Sequence, residues 1–472
     1  MIPERHPLVN GGDASGGALA EVKAPFDGRV VTRVHLATRE HLEQALSAAV
    51  AARPRLASQS IGERRRLLGA LAEGLRARAD ELVDAIVNEA GKPRVLARSE
   101  LERAGEVVAL AAAEATRFCG ELVPVDGMAA AAGSTAEVRF FPAGVIAGIV
   151  PFNFPLNLGV HKLAPALAVG APILLKPPPQ APSALLVVGD ILRRAGADPA
   201  AVHVLPCDNE LAEALATDER VRVLSFTGSA RVGWQLKRGC AGRALLELGG
   251  NASAIVCADA DLDAASARLS TGAWAYAGQV CIKTQHILVE DAVFEAFAER
   301  FCNRAHKLLA EDPASPTAFV GPVIDDNAAS RIEAWVQEAL AAGARALVPF
   351  RRRGRLLDPC VLTDVPATAR VSCEEVFGPV TVLTSVGSFD EALGRVQASP
   401  YGLQAAIFAN DLRRIRRAFH ELDVGGLIVN DATTFRSDAM PYGGNRRSGL
   451  GREGLRYAME AFTEPRVLVI RP

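Results

Sequence analysis

Cys281 lies in GQVCIKTQ, residues 278–285, between the small, apolar segment TGAWAYAG and a run, KTQHILVE, that reads as the approach to a strand. A thiol on such a junction is held by rigid neighbours yet open to substrate, as a nucleophile must be, and its thiolate is the attacking form. The competing reading is a small core residue, because cysteine is among the most buried residue types. Two further stretches bear on the choice. In LLELGGN, Glu247 ends an apolar strand directly before two glycines, a costly place for a carboxylate unless something uses or neutralises it. Burial there raises its pKa toward the range of a general base. In PFNFPLNL, Asn153 stands between two phenylalanines and two prolines. Its amide can stabilise an oxyanion, with the Cys281 backbone N–H as second donor, or it can cap a helix starting near Leu156.

Two stretches suit a phosphorylated ligand. FTGSARVG, residues 226–233, joins a strand to a helix, with Gly228 permitting close backbone approach and Ser229 at the N-cap. It departs from GxGxxG, and a capped turn without a ligand fits equally. PILLKP puts Lys176 at the carboxyl end of a strand. There it either leaves an apolar strand for solvent or reaches ribose hydroxyls or a phosphate.

The elements that must carry these residues read as α/β. Residues 1–37 form an irregular arm, and amphipathic helices follow over 39–53, 62–90 and 96–118. Residues 121–142 break the helical run, with TAEVRFFP alternating as a strand does. From Val145, the apolar runs VIAGIV, PILLK, VHVLP, VRVLSF and RALLELG alternate with four helical stretches. That rhythm implies right-handed crossovers and a parallel sheet buried on both faces, which binds ligands beyond the carboxyl ends of its strands. After Gly250 a second α/β rhythm predicts helices over 261–277, 293–310, 326–343, 389–398 and 411–421, with strands over 285–289, 379–385, 404–408 and 425–429. FTEPRVLVI reads as a strand pairing with 135–141 or with another subunit.

With 472 residues the chain exceeds one ordinary core, and 49% hydrophobic with 22% charged residues is the balance of a globular protein. A net charge of −2 points to neither nucleic acid nor an anionic membrane. The basic cluster Arg351 to Arg355 reads as a solvated turn, since no aromatic residues interleave it. The eight cysteines form no CxxC pair and lie near no histidines at zinc-ligand spacing, so no metal site and a reduced, cytoplasmic protein are expected. No signal-peptide core and no membrane span are seen.

In order along the chain, PFNFP, LLKP, FTGS, LELGG, GQVC, EEVFGP and PYGG resemble the NAD(P)-dependent aldehyde dehydrogenase superfamily. The 34 residues separating Glu247 from Cys281 match it too. The resemblance implies a Rossmann-type cofactor domain (1–120 and 143–249), a catalytic domain (250–454) and a bridging element (121–142 and 455–472) that builds a homodimer or homotetramer. It implies that Cys281 attacks an aldehyde to give a thiohemiacetal and then a thioester, with Asn153 on the oxyanion and Glu247 activating the hydrolytic water. NAD or NADP would be held by Lys176, Gly228, Ser229, Gly233, Glu375 and Phe377. Pro179 stands where many NAD-specific members carry a glutamate, which leaves room for the NADP 2′-phosphate. Pro206-Cys207-Asp208 replaces a glycine-containing turn of the family. Phe154, His161, Arg436 and Tyr442 fall at substrate-tunnel positions. An arginine there implies an anionic substrate, or else Arg436 pairs with Asp438. LLKPPPQ and FRSD look closest to the lactaldehyde, phosphonoacetaldehyde and non-phosphorylating glyceraldehyde-3-phosphate branch. A CoA-acylating relative, which lacks the glutamate of LELGG, and a cofactor-independent thiol esterase are the alternatives.

Overall fold

The computed structural model describes residues 2–471. Two large sheets carry the chemistry. The first has eight strands in the order Gly449–Leu450, Arg243–Glu247, Val221–Thr227, Val145–Ile149, Ile173–Lys176, Val202–Val204, Leu8–Val9 and Gly12–Asp13. Its five central strands are parallel, as their continuous apolar runs require of a sheet covered on both faces. Val145–Ile149 comes first in the chain yet lies between the second and the fourth of these strands. The sheet therefore has a topological switch point, and a crevice opens beyond the carboxyl ends there. The helices α1 (Arg39–Ala57), α2 (Ile61–Ala77), α3 (Ala79–Ala90), α4 (Arg94–Glu114), α5 (Asn157–Val169), α6 (Ser183–Arg194), α7 (Asn209–Thr217) and α8 (Ala230–Gly239) belong to this half.

The second sheet has seven strands, ordered Arg345–Val348, Cys360–Thr363, Val380–Val386, His286–Glu290, Ser253–Val256, Gln404–Phe408 and Gly426–Val429. All its pairings but the first are parallel. The reading from sequence omitted the Ser253–Val256, Arg345–Val348 and Cys360–Thr363 strands, four-residue runs too short for any period to register. A third sheet joins Glu121–Val123 and Thr135–Pro142 to Thr463–Ile470, which pairs antiparallel with 135–142 over eight residues of the same chain.

The helix expected over 62–90 is two helices, broken at Arg78. Neither proline nor glycine marks the break. Arg78 leaves helical geometry and its guanidinium bonds Glu81 at 2.7 Å and Asp190 of α6 at 2.7 Å, so tertiary ion pairing sets the turn. The helix expected over 96–118 spans Arg94–Glu114. Among the described residues no helix is long and apolar enough to cross a membrane.

Candidate active site

A cavity of about 670 Å³ opens at the switch point, between the two large sheets. Cys281, Asn153, Glu247, Gly228, Ser229, Glu375, Phe377, Arg436 and Tyr442 all line it. Distant segments are thereby brought to one place, each by its own local device.

Cys281 is presented by a strained loop. Tyr276, Ala277 and Gly278 occupy the left-handed region in succession (φ 53°, 53° and 68°), which costs the two non-glycine residues about 1–2 kcal/mol each. Side chains hold the loop there. The Tyr276 hydroxyl donates to Ala90 O at 2.8 Å. The Gln279 amide donates to Pro322 O at 3.2 Å and accepts from Ile324 N at 2.9 Å. Asn153 Nδ2 donates to Gln279 O at 3.0 Å, so the asparagine is oriented by the loop that carries Cys281 and does not cap α5. That cap comes from Glu100, which accepts from Leu156 N at 2.9 Å and Asn157 N at 3.0 Å. The Cys281 backbone N–H makes no hydrogen bond among the described residues. Burial pushes the Cys281 thiol up to about 11, against the Tyr442 hydroxyl 3.1 Å from Sγ.

Glu247 is 3% exposed, and neither carboxylate oxygen has a hydrogen-bond partner. Burial, reinforced by the neighbouring Glu453, raises its pKa well above the carboxylate range. Burial also acts on Glu453, but Lys162, His161 and Arg436 outweigh it and keep that carboxyl below its ordinary range. Lys162 Nζ donates to Glu453 at 2.9 Å, Thr227 at 2.8 Å and Ser225 at 3.1 Å. A side chain at Gly443 would place its Cβ 2.7 Å from Glu247 Oε1, so only glycine leaves the carboxylate room.

On the other wall, Glu375 accepts from Gly250 N at 3.3 Å, and burial lifts its pKa to about 7. A Cβ at Gly249 would fall 2.0 Å from Glu375 Oε2. Phe377 holds φ 48° and meets Phe152 edge-on at 6.0 Å. The N-terminus of α8 faces the cavity through Gly228, Ser229, Ala230 and Arg231. Ser229 occupies the N-cap position but its hydroxyl caps nothing, so the first-turn N–H groups remain open to an anion. Pyrophosphate at this helix end and ribose hydroxyls at Glu375 are what these donors and acceptors fit.

Four expected residues lie elsewhere. Phe154 points away from the cavity, with Lys92 Nζ 3.6 Å over its ring, and Phe152 is the lining aromatic. The PFNFP turn has no period that decides between the two. His161 is buried behind Arg436, with Nε2 3.0 Å from Asp438 and Nδ1 3.5 Å from the Arg436 guanidinium. Lys176 is buried at the end of its strand and outside the cavity lining. Gly233 serves helix packing, since a Cβ would meet Leu248 Cδ2 at 2.4 Å. Sequence reasoning missed Glu453, Arg331, Trp335, Tyr401 and Arg447, which also line the cavity. Arg331 stacks on Trp335 at 4.7 Å, a pairing that the shared helical face of residues four apart could have disclosed.

Arg436 is 8% exposed at its side chain and stacks over the Tyr442 ring at 3.8 Å. The expected partner Asp438 lies 3.6 Å away, Glu453 lies 3.7 Å away, and Nε has no partner. The expected Arg436–Asp438 ion pair is thus present but long, because Asp438 also takes Arg103 at 2.7 Å and His161 at 3.0 Å.

Residues 13–468 match the aldehyde dehydrogenase family. The chain is 37% identical over 465 residues to a 3-sulfolactaldehyde dehydrogenase of Priestia aryabhattai, covering 98% of this chain and 97% of that one. The crystal structure of aldehyde dehydrogenase 21 from Physcomitrella patens, in complex with its reaction product succinate, superposes with a TM-score of 0.98 at 37% identity, covering 100% and 99% of the two chains. An NADP-dependent glyceraldehyde-3-phosphate dehydrogenase from Bacillus halodurans, complexed with NADP, gives a TM-score of 0.96 at 31% identity, covering 99% of each chain. The chain belongs to the aldehyde dehydrogenase family, and its activity is the NAD(P)-dependent oxidation of an aldehyde to the carboxylic acid.

Proposed function

We propose that this enzyme oxidises a short, anionic aldehyde, with Cys281 as nucleophile, Glu247 as general base and Asn153 as oxyanion donor. The thiol proton passes to Glu247, a carboxylate whose unpartnered oxygens and raised pKa suit it to accept one. Sγ then bonds the aldehyde carbon. The carbonyl electron pair moves to oxygen, which the second Asn153 N–H and the free Cys281 N–H are available to bind. Bound NAD(P) supplies the hydride acceptor. After releasing that proton to solvent through the open cavity, Glu247 takes a proton from the water that cleaves the resulting thioester, and the Cys281 thiolate leaves. This role for Glu247 supports hydrolysis over CoA transfer. The helix α8 N-terminus, Glu375 and Phe377 would hold the cofactor.

One observation carries the anionic substrate: Arg436 is a buried guanidinium on the cavity wall whose two carboxylate neighbours, Asp438 at 3.6 Å and Glu453 at 3.7 Å, stand beyond hydrogen-bond reach. A desolvated cation costs free energy until an anion reaches it. The substrates named for the relatives, 3-sulfolactaldehyde and glyceraldehyde 3-phosphate, carry such groups. The test follows absorbance of reduced cofactor with paired anionic and neutral short aldehydes, supplied with NAD or NADP without CoA. Anionic aldehydes are expected to be preferred, and Arg436→Ala to lower the anionic-to-neutral kcat/KM ratio about 10- to 100-fold. An unchanged ratio would remove Arg436 from substrate recognition.

A homodimer or homotetramer is supported by the Thr463–Ile470 strand, whose Val467, Leu468, Val469 and Ile470 are 63%, 52%, 49% and 59% exposed in the isolated chain. Consecutive apolar residues open on both faces of an edge strand call for a covering surface. The eight free cysteines fit a reducing, cytoplasmic setting. Sedimentation velocity checks the assembly.

A further inference from the structure

Tyr442 does more than line a tunnel. Its hydroxyl lies 3.1 Å from Cys281 Sγ, the sole hydrogen bond of that sulfur among the described residues. The tyrosine is 4% exposed, so no water competes freely for the contact. Arg436 is stacked 3.8 Å over the ring. A cation on that face draws charge out of the phenol and makes its O–H a stronger donor. The loop is fixed on both sides of Tyr442. Its backbone exchanges hydrogen bonds with Glu453, N to O at 2.9 Å and back at 2.6 Å.

We propose that Tyr442 is a further catalytic residue: its O–H donates to the Cys281 thiolate and holds the nucleophile ionised in the cavity. This rests on Cys281 being the nucleophile. The thiol proton goes to Glu247, Tyr442 keeps its own proton, and only a hydrogen bond is made to sulfur. When Sγ bonds the aldehyde carbon, the negative charge leaves sulfur for the carbonyl oxygen, and the hydrogen bond weakens. Tyr442 therefore acts before attack, by raising the thiolate population. The charged groups facing the sulfur are Glu375 and Glu247, which oppose ionisation, and Arg436, which favours it; Glu453 stands behind Glu247. Once Glu247 holds the thiol proton it is neutral, so Glu375 offsets Arg436 and the Tyr442 donor is what favours the thiolate.

A lower thiol pKa carries its own cost in reactivity. A hydrogen bond to a charged acceptor shifts the thiol by about one pKa unit, a roughly tenfold gain in thiolate below the pKa. Intrinsic nucleophilicity falls about threefold per unit. The net effect is about a threefold gain below the thiol pKa and about a threefold loss above it.

Tyr442→Phe removes the hydroxyl and keeps the ring that Arg436 covers. The experiment measures iodoacetamide alkylation of Cys281 against pH, without cofactor, by peptide mass spectrometry that separates this cysteine from the other seven. Tyr442→Phe should move the midpoint up by about one unit, slow alkylation about threefold at neutral pH and speed it about threefold on the alkaline plateau. Crossing profiles of this kind support the proposal. Coincident profiles in a variant with wild-type melting temperature overturn it, as does a uniform slowing at every pH, which would indicate lost access. If Cys281→Ser still oxidises aldehyde, the nucleophile assignment itself fails, and that result is independent of the Tyr442 profiles.

Discussion

Two buried carboxylates, Glu100 and Glu247, behave in opposite fashion. Glu100, on α4, receives the Lys92 ammonium and two backbone N–H groups from the start of α5, and Lys92 in turn sits against the rings of Phe154 and Tyr276. Both Glu100 oxygens are partnered, and the cluster ties α3, α4, α5 and the Cys281 loop together. Glu247, at the end of its strand, has no hydrogen bond to either carboxylate oxygen. A buried charge with full partners serves architecture, whereas one left unpartnered on a cavity wall is free for the proton exchange proposed for Glu247. The same contrast separates Lys162, with three hydrogen-bond partners, from Arg436, whose carboxylate neighbours stand at 3.6 and 3.7 Å.

The comparison can be broken by mutation, and the largest effect belongs to the sulfur both regions serve. Cys281→Ala should lower aldehyde oxidation by about 10⁴-fold or more while cofactor fluorescence on binding persists. Glu247→Gln should cost about 10²- to 10³-fold in steady-state turnover. Its stability should be unchanged or raised in urea melts, since a buried carboxylate without partners is replaced by a neutral amide. Lys92→Met reverses that pattern, destabilising by about 3–5 kcal/mol because it strands Glu100. A Glu247→Gln variant as destabilised as Lys92→Met would erase the distinction.

Smaller effects follow pH. Because the Glu247 pKa is raised, the base form grows as pH rises, so thioester hydrolysis should accelerate with pH in wild type and flatten in Glu247→Gln. Glu375 is held up to about 7 against an ordinary 4.5. Between those values the native state binds the extra proton, so the Glu375 contribution to stability falls as pH rises through that window. Thermal melts of wild type against Glu375→Gln should diverge from pH 4.5 to 7, with the variant gaining. Parallel melts would refute the assignment.

The sequence made legible whatever depended on strand ends. Glu247, Asn153 and Gly228 sit where apolar strands stop, and parallel sheets open there, whereas Cys281 lies on the loop between the helix ending at Trp274 and the strand His286–Glu290. Irregular turns were illegible: nothing in PFNFP tells which phenylalanine turns inward, and nothing in FRSD tells that Asp438 is taken by Arg103 and His161 before it can close on Arg436. Glu453 was missed because its meaning is tertiary; only folding sets it beside Glu247 and Lys162. The break at Arg78 was missed because its cause lies on α6.

The strand bearing Glu247 is closed on its outer edge by residues from near the C-terminus. Leu450 and Gly449 pair with Leu246 and Glu247, Leu248 N donates to Ser448 O at 3.0 Å, and Ser448 Oγ donates to Gly249 O at 2.8 Å. The chain leaves the ribosome N-terminus first, at about 5–20 residues per second. Asn153, Glu247 and Cys281 are therefore all outside before the clamp on the catalytic strand exists. Cys281 and Glu247 are thus made before the edge that encloses them, and that edge arrives with Tyr442, so the hydroxyl and the enclosure are delivered together.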